Sequence, residues 1–372
     1  MTPAKRRLAR FALAFSAIVM SLLVFEAILR LRGYQPFRFA ERVNGALLTV
    51  TDNPELPYVL TPDVEGEGWH TQVKVNSHGF RDREFDETKG NRLRIVALGD
   101  SITFGSRLSP PSVLYPKRLE HLLQSRPSTS NAEVLNFGVT GYDIVNNVEH
   151  LRVRALRFHP DIVLLGFCVN DIGTSSTAMA YVRAAKHLSN PLLHFRTAQF
   201  ILSTGLRRLA AQQASDDQDI NVFRRTNRSR IHSIEGDSEL SADMLKLAEW
   251  TRRHRGSGLL QWWTQPERIG FLEYGFDKLR TLQQNHGFTV VVIAIPSLDQ
   301  SGKEGWRIVN QIVHHEARKF GFHFVDVFGT FEAAGLRKLR NERSDDIHPN
   351  VKGHEILAKE INQYLLASGL LD

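Results

Sequence analysis

LRIVALGDSITFG, from Leu93 to Gly105, decides how the rest of the chain is read. Its first part, Leu93–Gly99, is a compact apolar run that stops at a glycine. A run this short, apolar on both faces, predicts a strand buried inside a sheet. An acid and a small hydroxyl follow at once, Asp100 and Ser101. A serine hydroxyl is a poor nucleophile unless a base lies within hydrogen-bond reach and a third group orients that base. The question posed by Ser101 is therefore what other segments bring to it.

The pattern repeats along the chain. EVLNFGV (Glu133–Val139), DIVLLGFCV (Asp161–Val169), TVVVIAI (Thr289–Ile295) and FHFVDVF (Phe322–Phe328) are further strand candidates. Helical patterns separate them. VLYPKRLEHLLQ (Val113–Gln124) sets Leu119, Leu122 and Leu123 on one face. DIVNNVEHLRVRALRF (Asp143–Phe158), Phe271–Asn285 and WRIVNQIVHHEARKF (Trp306–Phe320) follow, and Lys352–Gly369 closes the chain with Gly369 as a stop. Short apolar strands alternating with helices predict an α/β fold, a mostly parallel sheet of five strands with helices on both sides. Ligands of such sheets sit at the carboxyl ends of the strands. Gly99, Gly138 and Gly166 all fall at or just inside that edge.

With 372 residues, 42% hydrophobic and 23% charged, the chain has ample material for a buried core. The formal charge of +7 is mild for this length and spread out, which reads as a solubilising surface rather than a docking site for an anionic partner. The basic run Arg224–Arg230 has no interleaved aromatics and gives no reason to expect nucleic acid. A single cysteine, Cys168, excludes an internal disulfide and a cysteine-built zinc site, and on a buried strand it reads as a small apolar residue. His314 and His315 precede Glu316, but adjacent residues on a helix point apart, so these read as peripheral rather than as metal ligands. His354 belongs to the first turn of the last helix. No metal and no cofactor are expected, and the oligomeric state is left open.

Residues 1–30 start basic and continue as FALAFSAIVMSLLVFEAIL (Phe11–Leu29). That run is about one bilayer core long as a helix. Its one charge, Glu26, lies a turn from the end, within reach of headgroups. No small-residue cleavage site precedes Arg30, so the segment is expected to be an uncleaved signal anchor that exports the trailing domain. Residues 31–90 read as an irregular connector with a short strand near Val73–Val75 and a turn at Ser77–Gly79. Residues 91–372 form the main domain, interrupted by an insertion at about 173–270. Within it, His194–Gln212 has an amphipathic pattern and Ala214–Glu239 reads as a polar, mobile loop. Gly256–Gly270 carries Trp262 and Trp263. The insertion is either a substrate-side lid or a peripheral helical addition.

A partner for Ser101 lies near the other end, in SDDIHPN (Ser344–Asn350). Asp345 and His348 are three apart, so a tight turn sets both side chains on one side, with one imidazole nitrogen on the acid and the other toward the serine. The oxyanion formed by attack also needs donors. The candidates are the Ser101 N–H, the Gly138 N–H in NFGVTGY and the Asn170 amide in GFCVND.

These four blocks resemble those of the SGNH hydrolases, the GDSL esterase/lipase family. GDSITFG matches the first block with Ser101, NFGVTGY the second through Gly138, GFCVND the third through Asn170, and DDIHPNVKGH the last with Asp345 and His348. The resemblance covers about residues 92–172 and 285–370. It implies a three-layer, flavodoxin-like α/β/α sandwich and ester hydrolysis by a Ser-His-Asp triad. NSHGFRDREF and the N-terminal segment also resemble a membrane-anchored bacterial branch. Val169 stands where the family has a small residue before the asparagine, Asp346 is a second candidate orienter, and the insertion leaves the pocket unspecified. The expected substrate is an acyl ester, a lipid or an acylated glycan. An extracytoplasmic O-acyltransferase acting on a polysaccharide and a non-catalytic, membrane-tethered binding protein are the alternatives.

Overall fold

Each of the five apolar runs forms a strand of one sheet. The computed structural model describes residues 2–32, 47–173, 195–198, 200–201, 218–254 and 258–371. In chain order the strands are β1 (Leu48–Val50), β2 (Tyr58–Leu60), β3 (Glu65–Gly68), β4 (Thr71–Lys74), β5 (Arg94–Gly99), β6 (Glu133–Asn136), β7 (Ile162–Cys168), β8 (Thr289–Ile295) and β9 (His323–Asp326). The main sheet has the order β6-β5-β7-β8-β9 and is parallel throughout. Every residue of β5, β6 and β7 is buried, which is why these runs lack the alternation of a half-exposed strand.

The order has one consequence for function. The chain leaves β5 for β6 on one side and returns to β7 on the other. The crevice at this switch point opens between the carboxyl ends of β5 and β7, where Gly99 pairs with Gly166. Ser101 and Asn170 follow those two ends.

In chain order the helices are α1 (Pro3–Leu31), α2 (Ser101–Phe104), α3 (Tyr115–Gln124), α4 (Ile144–His150), α5 (Gln218–Thr226), α6 (Arg228–Gly236), α7 (Ser238–Arg253), α8 (Gly258–Trp262), α9 (Pro266–His286), α10 (Lys303–Lys319), α11 (Phe328–Ala334) and α12 (Val351–Ala367). Helices α3 and α12 pack together on one side of the sheet, while α4, α9 and α10 form the layer on the other. The expected helix over Asp143–Phe158 is regular only to His150 and then loosens into a π turn and a 3-10 turn.

The insertion differs from expectation. Ala214–Glu239 is not a loop where it is described: α5 and α6 occupy most of it. Its few apolar residues explain this. Ile220, Phe223 and Ile234 are buried, and Gly270 of α9 lets Phe223 and Ile234 approach its backbone closely. Most of the amphipathic stretch His194–Gln212 lies outside the described residues. Trp263 is fully buried, its indole N–H donating to the Val169 carbonyl (2.9 Å), and Trp262 lies under the Arg268 guanidinium.

Residues 47–90 are more than a connector. Strands β1 with β2 and β3 with β4 form two antiparallel hairpins. Their buried side chains share one apolar cluster with Phe104, Val139 and Tyr142 of the main domain. The turn at Ser77–Gly79 is present, with Gly79 at φ +85°.

Helix α1 is long and apolar enough to cross a membrane by length and composition alone, and Phe11, Leu13, Phe15 and Leu23 on it are exposed. Glu26 does not stand free for headgroups. It pairs with Arg30 (2.7 Å) and accepts the N–H groups of Arg196 (3.0 Å) and Thr197 (2.7 Å). A carboxylate on an apolar helix is costly without such partners.

Candidate active site

The turn that carries Ser101 is built by close packing at the ends of β5, β6 and β7. Asp100 caps α2, its side chain accepting the Ile102 N–H at 2.9 Å. Thr103 of α2 reaches down to Tyr115 (2.9 Å between hydroxyls) beside Gly99 and Gly166, where a Cβ would overlap the Thr103 side chain. A Cβ on Gly138 would overlap the backbone of Thr103 and Phe104. These glycines let a one-turn helix sit directly on the sheet edge and raise Ser101 above it.

Ser101, His348 and Asp345 meet although 247 residues separate the serine from the histidine. The Ser101 hydroxyl lies 2.8 Å from His348 Nε2. His348 Nδ1 lies 2.8 Å from Asp345 Oδ2 and 3.0 Å from Oδ1. The acid is held by its own turn, Oδ1 accepting the N–H groups of Ile347 (3.0 Å) and His348 (2.9 Å). Burial pushes the Asp345 carboxyl up, but the His348 hydrogen bond and charge and the two N–H groups outweigh it and bring it down to about 2. Asp345 is therefore an anion over the whole neutral range. Asp346, the other acid considered, pairs with Arg340 instead.

The three oxyanion candidates differ. Asn170 is half-exposed, and its side-chain amide, whose Oδ1 is buried, makes no hydrogen bond to any described residue. It is carried by a tight turn in which Asp171 Oδ2 accepts the Cys168 N–H (2.9 Å) and the Asp171 N–H donates to the Cys168 carbonyl (3.0 Å). Ser101 N–H lies at the first position of α2. Gly138 requires correction as a donor: its N–H already donates to Asn136 Oδ1 (3.0 Å), and the residue is fully buried under α2. Three residues on, Gly141 is half-exposed at φ +83°, and its N–H has no hydrogen-bond partner among the described residues.

Beneath the turn the electrostatics are unusual. Asp100 and Asp171 are both fully buried. Burial raises the Asp100 carboxyl, and burial followed by the charge of Asp100 raises that of Asp171. Cys168 is buried and its thiol is pushed up by burial, as for an inert core residue. His354 is also in the core, not merely in a helix turn. Its Nδ1 accepts the Tyr115 N–H (3.1 Å), and burial brings it down to about 3, so it is neutral.

Two arginines at the site escaped the sequence reading. Arg81, in NSHGFRDREF, is 1% exposed, and its guanidinium donates to the carbonyls of Phe104 (2.9 Å), Gly105 (2.7 Å) and Leu108 (2.7 Å). It caps the carboxyl end of α2, where a cation suits the terminal carbonyls. Arg107 lies in the loop so held. Arg81 is a basic residue within NSHGFRDREF, and Arg107 lies two residues beyond GDSITFG, where nothing in the sequence sets it apart.

The model of the GDSL-like Lipase/Acylhydrolase family matches residues 97–356. No curated protein matches the chain. Among solved structures, an α/β hydrolase enzyme from the metagenome of Lake Arreo, Spain, is similar at 16% identity, covering 77% of this chain and 99% of its own, with a TM-score of 0.41. The acetylxylan esterase Axe2 from Geobacillus stearothermophilus is 14% identical over 75% of this chain and 96% of its own, with a TM-score of 0.39. A putative GDSL-like lipase from Parabacteroides merdae is 13% identical over 77% of this chain and all of its own, with a TM-score of 0.41. Likeness at this level transfers no substrate to the chain.

Proposed function

The chain belongs to the GDSL-like lipase/acylhydrolase family and is a carboxylic ester hydrolase, and from that premise we propose that Ser101, His348 and Asp345 are its catalytic triad. The observation that carries the reading is the 2.8 Å contact between Ser101 Oγ and His348 Nε2, with Asp345 on the far nitrogen. His348 takes the Ser101 proton as Oγ attacks the ester carbonyl. The tetrahedral intermediate collapses to an acyl-serine, and the departing alkoxide takes the proton back from His348. Water, activated by the same imidazole, then releases the acid.

The Ser101 N–H and the Asn170 amide serve as oxyanion donors. Gly141 replaces Gly138 as the backbone donor of the second block, because its N–H is uncommitted. Each such donor is typically worth about 3 kcal/mol in the transition state. Helix α1 anchors the chain in a membrane, with the hydrolase domain on the extracytoplasmic side. The domain division is 1–30 for the anchor, 31–90 for a connector with short strands and 91–372 for the hydrolase, with an insertion at about 173–270. The substrate class is an acyl ester, a lipid or an acylated glycan.

The test compares full-length protein with Ser101→Ala. The variant is expected to keep its melting profile and its place in the salt-washed membrane fraction while losing p-nitrophenyl acetate turnover. Wild-type turnover should fall on the acid side as His348 takes a proton, since an imidazolium cannot act as base. Unchanged turnover in Ser101→Ala rejects the nucleophile, and release of both proteins by the salt wash rejects the anchor.

A further inference from the structure

Arg107 lies six residues past Ser101, in the left-handed region at φ +66°. An L-residue there costs on the order of 1 kcal/mol, so surrounding contacts must hold it. They do: its N–H donates to the Trp69 carbonyl (2.9 Å), and Arg81 binds the carbonyls on either side. So held, its side chain is only 15% exposed and reaches the loop from the far end of the chain. Nη1 lies 2.6 Å from Glu342 Oε1, and Nε lies 3.3 Å from Asp345 Oδ2. That carboxylate oxygen is the one 2.8 Å from His348 Nδ1.

We infer that Arg107 is a positioning residue of this ester hydrolase: it shares the Asp345 carboxylate with His348 and so fixes both the place and the basicity of the imidazole. The inference rests on the proposed roles of Ser101, His348 and Asp345. Two effects follow from one geometry. Asp345 Oδ1 is hydrogen-bonded within its own loop, Oδ2 meets Arg107 Nε in an ion contact at 3.3 Å, and Glu342 takes the hydrogen bond of Nη1, so the guanidinium bridges the acid turn and the serine turn. A cation beside the acid also offsets part of the negative potential that stabilises an imidazolium. His348 therefore stays neutral, and able to accept a proton, to lower pH than an unshared Asp345 would allow. Glu342 moderates this by drawing on the same guanidinium. Among the described residues, Asp100 under Ser101 and His354 on α12 also bear on the imidazole, and both are the same in every variant compared below.

The experiment is the pH dependence of kcat/KM for p-nitrophenyl acetate, measured on the full chain in detergent. Wild type is compared with Arg107→Met, Arg107→Lys, Arg107→Gly and Glu342→Gln, and with Ser101→Ala and His348→Ala in parallel. Arg107→Met is expected to move the acid limb upward by about half a pH unit or more, because the imidazolium loses a repelling cation. Its kcat should fall several-fold with KM little changed, as for a residue that acts through Asp345. Arg107→Lys should return most of the shift. Glu342→Gln should move the limb the opposite way, downward, because the freed guanidinium acts on Asp345 alone. Arg107→Gly, which suits the left-handed backbone, carries the same expectation should the Met variant fail to fold. A residue that merely braced the loop would lower the melting temperature and leave the limb in place. Loss of activity in Ser101→Ala and His348→Ala, with an unmoved limb in the folded Arg107 variants, overturns this inference alone. Full activity in either of those two controls overturns the site itself and the inference with it.

Discussion

Ser101 is raised above the sheet by residues that have no side chain to speak of. Gly138 lies so close to the backbone of Phe104 that an alanine there has nowhere to put its methyl. Gly138→Ala is therefore expected to destabilise the fold by about 1–3 kcal/mol through overpacking. Asn170→Ala should behave in the opposite way. Its amide has no hydrogen bond to lose among the described residues, so the melting temperature should hold while kcat falls by about 10²- to 10³-fold. Thermal melts and steady-state kinetics on the two variants separate these outcomes. A stable Gly138→Ala, or an Asn170→Ala that unfolds, would contradict them. The meeting of Ser101 with His348, and of His348 with Asp345, was legible because the Asp-x-x-His spacing is local and one distant meeting had to be supplied. The purpose of Gly138 was not legible, since a glycine needed for its size and one needed for its N–H look the same in sequence. Arg81 and Arg107 were hidden for another reason: their partners are backbone carbonyls and acids of other segments, and nothing local marks them.

At the level of elements, strands were easier to read than the insertion. β5, β7 and β8 are apolar on both faces, and their signal does not depend on what they pack against. Helices α5 and α6 have only scattered apolar residues among charges, and Ile220, Phe223 and Ile234 gain meaning only when α9 lies beneath them. The insertion is also tied to the core through charge. His315 of α10, read as peripheral, reaches Asp237 at the start of α7 (3.1 Å). Beside it lies the buried Glu316, whose carboxyl faces that of Glu273. Burial, and then the charge of Glu273, push its carboxyl up to about 8, with Lys319 opposing in part. The sign is set by proton linkage. The unfolded chain releases this proton near the ordinary glutamate range of about 4.3, whereas the folded chain keeps it until about 8. Stability is therefore lost as pH rises between those values. Glu316→Gln should raise the melting temperature by several degrees or so at pH 8.5 and by much less at pH 5. Equal gains at both values would mean that Glu316 is not protonated in the fold.

For the whole molecule, the strand order matters more than any single element. Because β5 and β7 are neighbours that the chain reaches from opposite directions, residues 101 and 170 follow adjacent strand ends, and the hydrogen bond from His348 to Ser101 brings the 345–348 loop to the same edge. The alternation of strands and helices made that architecture legible. It did not reveal that residues 47–90 belong to the same body, because the Glu65–Gly68 strand has none of the residues that favour strands and acquires its structure from pairing with Thr71–Lys74. The convergence is tested most directly by treating folded wild-type protein and His348→Ala with a fluorophosphonate and locating the adduct by peptide mass. The account predicts a single covalent adduct on Ser101 in the wild type and almost none in His348→Ala. An unlabelled but folded wild type, an adduct on another residue, or labelling undiminished without His348 would contradict it.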